Sequence, residues 1–294
     1  MTQPQLNVEL EELLARAKEL EQPIPGMPTD NPLPLCDLAL AEAAARQLGL
    51  SADSMRLYLE VGERERSRLA ESLINAAKAY EEYDEATAEA ISEDASASAV
   101  APKQAEEVDT SKLTDTETAK GGAEDAYLSV RQAAIALRAP DQGASFTRFS
   151  EQWAAYGLAL QEAMTRLRPF QDWEGAAADA VESSLEQHRQ WMIQIAESCR
   201  QLAAQAPPVV DAHKVALANH PTVEEAEFWE YSINWYNSVA PVPSRELCMR
   251  FLGVPSLDHW YTNDYGGPGW AATGTHFMEQ YAILQQKSEE VRAE

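Results

Sequence analysis

The sequence predicts an all-α protein. The 294 residues are rich in Ala and Glu, a composition typical of long helices and helical bundles. Apolar residues recur by threes and fours along most of the chain. Proline and glycine, which break helices, cluster in a few short stretches between those runs.

Taken in order, Asn7 can cap a helix over about 8–21, with Leu10, Leu13, Leu14, Ala17 and Leu20 on one face. Pro23, Pro25, Pro28, Pro32 and Pro34 make 23–34 a semi-rigid extended connector. A very long helix follows over about 35–91, with Ala41, Ala45, Leu48, Ala52, Met55, Leu59, Leu69, Leu73 and Tyr80 on a heptad-like seam. Its seam breaks at Gly62 and Arg66, so the stretch carrying Arg64, Arg66 and Arg68 is expected to be exposed or to form a subunit contact. Gly49-Leu50-Ser51 is a candidate bend. Such a helix needs partners to cover its seam.

Residues 93–122 change to Ser, Ala, Thr, Asp and Glu, the composition of a disordered acidic linker. Residues 81–117 hold twelve acids against two lysines. A helix over 123–138 would bury Tyr127, Val130, Ala134 and Leu137. Two long arms then form a helical hairpin over about 144–168 and 173–206. Phe146, Phe149, Trp153 and Leu160 stripe the first arm; Leu185, His188, Met192, Ile195 and Leu202 stripe the second. Pro169 ends the first arm, and Asp172 can cap the second with Trp173 and Glu174 in its first turn. Pro207-Pro208 marks a break before a helix to about Asn219, and Thr222 caps another through about Asn237. Residues 240–275 read as irregular, with a short helix near 244–252, and a last helix takes 276–292. The aromatic residues of this segment either pack onto the bundle end or form an interaction surface.

Net charge is −25, which disfavours nucleic acid, bound through Lys and Arg. Cys36, Cys199 and Cys248 are too dispersed for a disulfide framework or a paired-cysteine metal site. The five histidines show no ligand spacing, and no nucleophile elbow, phosphate loop or dinucleotide fingerprint occurs. No catalytic residue, metal or cofactor is therefore assigned, and the chain is read as non-enzymatic. Residues Met1 to Leu14 lack the pattern of a secretory signal peptide. No run of eighteen apolar residues marks a membrane span.

Two short patterns remain. Trp173-Glu174-Gly175 lies at the hairpin tip, where its indole either plugs the end or takes part in recognition. Tyr80 and Asp84 share a helix face near the end of the long helix. If that helix runs antiparallel to the arm leading to Trp173, both patterns meet at one tip.

The sequence resembles the EspB family, mycobacterial proteins associated with the ESX type VII secretion system. The resemblance runs in order through Leu50 to Leu59, Arg68 to Glu85, Leu113 to Thr116, Asp141 to Ser145, Phe170 to Ala180, Gln187 to Trp191 and His220-Pro221-Thr222. It implies an elongated four-helix-bundle core, with flanking short helices, built like a PE and a PPE protein fused in one chain. The PE-like part would be 1–92, the linker 93–122 and the PPE-like part 123–294, with the irregular aromatic segment at about 240–275. It further implies that Trp173 and Gly175, with Tyr80 and Asp84, form a bipartite export signal read by the ESX machinery. Export without a cleaved N-terminal signal to the cell surface or beyond, ring-like homo-oligomers, and phospholipid as a ligand complete the expectation. Residues 223–275 look longer and more aromatic than the family pattern. The alternative is a cytoplasmic scaffold or chaperone-like adaptor that holds a partner at the same tip.

Overall fold

The computed structural model describes residues 3–90, 128–138, 141–171, 173–237, 243–257 and 270–293. Within helices, the side chains of 3–9, 83–90, 270–272 and 293 lie outside that description. The expected linker 93–122, Tyr127, Asp172 and the aromatic residues Trp260, Tyr261 and Tyr265 also fall outside it.

The protein is all-α. The described helices are α1 (Gln3–Glu21), α2 (Ala39–Ala90), α3 (Val130–Ala136), α4 (Ala144–Ala163), α5 (Ala176–Ala204), α6 (Ala206–Asn219), α7 (Val223–Tyr236), α8 (Arg245–Phe251) and α9 (Trp270–Ala293). A 3-10 turn, Met164–Arg166, follows α4. Contacts divide the chain into two compact units, Met1–Asp30 with Gly49–Ala119 and Phe149–Ala204, and Asn31–Leu48 with Lys120–Arg148 and Gln205–Glu294.

The first unit gathers α1, most of α2 and α4, and α5 around a core that follows the sequence stripes. Leu13, Ala17 and Leu20 of α1 are buried with Ala52, Leu59, Leu69 and Leu73 of α2. Phe149, Trp153 and Leu160 of α4 join Leu185, Met192, Ile195 and Leu202 of α5. Met55 is only half-buried. The proline connector carries neither helix nor strand over 23–34, because proline fixes φ and cannot donate. Arg56 ties it down by donating from Nε to the Pro28 carbonyl (2.8 Å) and from Nη2 to that of Asp30 (3.1 Å).

The seam interruption on α2 has a different cause from the one expected. Arg66 is not exposed: it retains 4% of its accessible surface. It pairs with Glu63 and donates to the carbonyls of Leu20 and Gln22 at the end of α1. A buried guanidinium is tolerable only with such partners, and here it caps the carbonyls that α1 leaves unsatisfied. Gly62 is a notch, because a Cβ there would fall inside the Trp191 indole. Arg64 and Arg68 are exposed, as expected.

Several expectations about the helices also differ, among them the start of α2, which lies at Ala39. Helix α1 begins at Gln3, so Asn7 is internal; α2 runs unbroken through Gly49-Leu50-Ser51; α3 is shorter than expected; and α9 begins at Trp270, before residue 276. Capping residues set several starts. Ser129 accepts from the Gln132 N–H and Gln132 reaches back to the Ser129 N–H, a capping box. Thr222 caps α7 as expected, accepting from the Glu225 N–H (3.1 Å). The paired prolines occupy the start of α6, where their missing N–H groups cost nothing.

The second unit has its own core of Val130, Ala226, Phe228, Trp229, Cys248, Leu257, Phe277 and Leu284. Phe228 stacks on Phe251 with ring centroids 4.8 Å apart, and Trp229 lies 6.0 Å from Phe277. Of the described aromatic residues, Phe228, Trp229 and Phe251 pack within this unit's own core, whereas Tyr231 is exposed. A buried polar pair closes the unit: His220 Nδ1 lies 2.8 Å from the Pro221 carbonyl and Nε2 lies 2.7 Å from Ser288 Oγ. A carbonyl can only accept, so Nδ1 carries the proton and neutral Nε2 accepts from the serine.

Candidate functional site

The hairpin tip is the place where the sequence patterns meet. Helix α4 tightens into its 3-10 turn and stops at Leu167, two residues before Pro169. The chain turns through Phe170 to Gly175 and re-enters helix at Ala176. Trp173 and Glu174 thus precede α5, in contrast to the expected first-turn placement. Gly175 is not a helical residue either. It has φ of +114°, a conformation that only glycine adopts without strain. Nothing lies within 4 Å of where its Cβ would be, so conformation, and no close approach to the indole, selects glycine here. The Gly175 carbonyl then accepts the first i→i−4 hydrogen bond of α5, from the Asp179 N–H (3.0 Å).

Trp173 is 3% exposed. Its ring meets Phe170 edge-on (centroids 4.8 Å, 86°) and Tyr80 edge-on (6.4 Å, 89°), the arrangement favoured by the ring quadrupoles. Its one polar atom is satisfied: Nε1 donates to Tyr80 Oη at 3.0 Å. Ninety-three residues separate the partners in sequence. Tyr80 is half-buried, with Glu81 and Glu82 exposed beside it and Gln171, Glu174 and Gly175 exposed across the turn. Asp84 lies one helical turn beyond Tyr80 on α2, and its side chain is outside the described residues. The fold therefore joins Trp173 to Tyr80, with Gly175 in the same turn.

Helix α1 supplies a brace that no expectation included. Arg16 donates to the Pro169 carbonyl (2.9 Å) and lies 5.9 Å from the Phe170 ring centre. Arg168 and Glu19 form a two-pronged ion pair at 2.8 and 2.9 Å, the strongest geometry for this pair. The turn's orphan N–H groups are met by carboxylates: Phe170 N–H donates to Glu182 (2.8 Å) and Gln171 N–H to Glu12 (2.9 Å). Burial holds the Arg16 pKa below its ordinary value, assisted by repulsion from Arg168. The hydrogen bond from Arg168 lowers that of Glu19. One signal could have found Arg16: it sits on the apolar stripe of Leu13, Ala17 and Leu20, where a cation needs a reason.

Among the described residues no group of three His, Cys, Asp or Glu side chains could hold a metal ion. His188 stacks on Trp191 (5.2 Å), and His213 faces Gln142 at 3.3 Å, whereas Asp211 pairs with Lys214. No described helix is long and apolar enough to cross a membrane.

Two family models match the chain: the PPE domain of the ESX-1 secretion-associated protein EspB over residues 127–294, and the PE domain of ESX-1 secreted protein B over 11–87. The chain is 44% identical over 233 residues to EspB of Mycobacterium tuberculosis, covering 76% of this chain and 50% of that protein. It is 39% identical over 228 residues to EspB of Mycobacterium marinum, with the same two shares. It thus spans about half the length of the curated relatives it matches. The solved structure of Mycobacterium marinum EspB superposes with a TM-score of 0.61 at 30% identity, over 97% of this chain and 88% of that one. A crystal structure of EspB from the ESX-1 type VII secretion system shares the fold, with a TM-score of 0.73 at 23% identity over 97% and 90%. This chain belongs to the EspB family of ESX-1 secretion-associated proteins.

Proposed function

We propose that this chain is a non-enzymatic substrate of type VII secretion, exported without a cleaved N-terminal signal, and that its export element is the hairpin tip. The observation that carries the reading is the hydrogen bond from Trp173 to Tyr80, which makes one element of two distant pieces of sequence. In this reading Trp173 and Gly175 set the turn, Tyr80 fixes its distance from α2, and Asp84 stands one turn further along the same helix. The indole is too buried to be a contact surface. It acts as the anchor that presents the exposed Gln171, Glu174 and Gly175 beside Tyr80 to the ESX machinery. The division into a PE-like part at 1–92 and a PPE-like part at 123–294, with the linker between, belongs to the same proposal.

Outside the cell the protein assembles into ring-like homo-oligomers. Leu50, Leu57 and Val61 support this, being exposed residues seven and four apart on α2, continued by Arg64 and Arg68. Such a ridge suits a helix of a second copy; Arg66 is buried and takes no part. Phospholipid binding at the cell surface rests on the family resemblance.

The test is export from a mycobacterium with an active ESX-1 system, comparing the native chain with Trp173→Ala and Tyr80→Ala. Circular dichroism and a protease-resistance time course establish that each variant folds. The expected result is native protein in the culture filtrate and folded variants retained in the cell. Equal export of all three would remove the tip from the signal, and retention of the native chain would favour the cytoplasmic scaffold.

A further inference from the structure

We propose that the second unit holds a binding site for a single-chain anionic amphiphile, of the class of a medium-chain fatty acid. Its walls are built by the start of α2, α6, the end of α3 and the end of α9, around a groove of about 360 Å³. That volume is at the small end for ligand sites. At about 30 Å³ for each water-sized group it accommodates one alkyl chain of roughly a dozen carbons.

The lining is sorted by chemistry. Buried Leu35, Leu38, Ala41 and Leu137 form an aliphatic floor. Leu40 and Val215 mark the mouth, exposed to 62% and 54%. Aliphatic side chains left this open beside a cavity favour an apolar occupant. The polar lining is confined to His213, Asn219 and Arg292.

Charge at that polar side selects the head group. Asn219 and Arg292 lie together on that side of the lining, and Arg138 and Lys287 come near enough to the adjoining His220 to act on it. Arg138 directly follows the floor residue Leu137 and donates to the Ala134 carbonyl (3.0 Å). Arg292 donates to the Ser288 carbonyl (3.1 Å), which fixes its stem. Arg292 is the one charged residue among the described residues lining the groove, no acid shares that lining, and its guanidinium is complementary to a carboxylate. This site is separate from the hairpin tip and does not rest on the export reading.

The experiment is calorimetric titration of the full chain with decanoate and with decanol, which share a chain and differ in charge. Decanoate is expected to bind one per chain. Ala212→Trp fills the groove from an exposed position on α6 and should weaken both ligands about tenfold or more. Arg292→Gln should weaken decanoate about fivefold and leave decanol unchanged. Absence of saturable binding, or native affinity in Ala212→Trp, would overturn the site. Equal loss of both ligands in Arg292→Gln would overturn the head-group assignment. Sedimentation of the ligand-free native chain as a dimer that Ala212→Trp dissociates would make the groove a subunit contact.

Discussion

The notch at Gly62 offers a prediction in which one substitution changes sign with its surroundings. In an exposed helix, Gly→Ala stabilises by about 1 kcal/mol, because alanine loses less backbone entropy. At Gly62 the new methyl would occupy the space of the Trp191 six-membered ring, touching Cη2, Cζ3 and Cζ2. The indole must swing out. It then loses its stacking on His188 (5.2 Å, 18°), worth about 1 kcal/mol. If half of a typical tryptophan burial of about 150 Å² is re-exposed, about 2 kcal/mol more is lost at about 25 cal/mol/Å². Gly62→Ala should therefore destabilise by about 2 kcal/mol net. With Trp191→Ala already made, the clash is gone and Gly62→Ala should stabilise by about 1 kcal/mol. The coupling between the two sites is then about 3 kcal/mol, at the top of the range for residues in contact. Thermal melts of the four proteins by circular dichroism measure it. With about 2–4 °C per kcal/mol for a domain of this size, Gly62→Ala should lower Tm by about 4–8 °C in the native background. It should raise Tm by about 2–4 °C in the Trp191→Ala background. A rise in both backgrounds would refute the notch.

Gly175→Ala adds no clash, since the space around it is open, yet forces alanine to φ near +114°. The expected cost is about 1–2 kcal/mol, measurable by urea denaturation; no loss of stability would show that the turn relaxes to negative φ. Acid should weaken the fold through its buried histidines. Burial lowers the pKa of His188, His213 and His220 from the ordinary 6.5, so the unfolded chain takes up their protons first. Their contribution is intact above about pH 6.5 and declines as pH falls from there through the folded-state values. His220→Gln can still accept from Ser288 and removes one such group; its Tm should fall less than that of the native chain between pH 7 and 5. Parallel profiles for the two proteins would contradict that assignment.

The arms, the long helix and most of the core were legible in the sequence. Helical periodicity and the punctuation at Pro169, Pro207-Pro208 and Thr222 are local properties of the chain. The meeting of Trp173 and Tyr80 required only that two recognised helices run antiparallel; the hydrogen bond between them came from the fold.

What only the tertiary structure decided was the meaning of residues that break a pattern. Gly62 and Arg66 interrupt the α2 seam alike. One is a socket for an indole from α5, the other a buried cap on the last carbonyls of α1. Arg16 interrupts the α1 stripe to hold the Pro169 carbonyl. In each case the partner lies on another helix, and periodicity along one helix carries no information about what fills the facing hole. Gly175 differs in kind, since its positive φ is set by the path of the turn and not by any contact. The sequence by itself determined which faces are buried, because hydrophobic burial depends on the average composition of a face. The tertiary structure decided which polar residues may join them, because a buried charge or an absent side chain is tolerated only where one specific neighbour compensates for it.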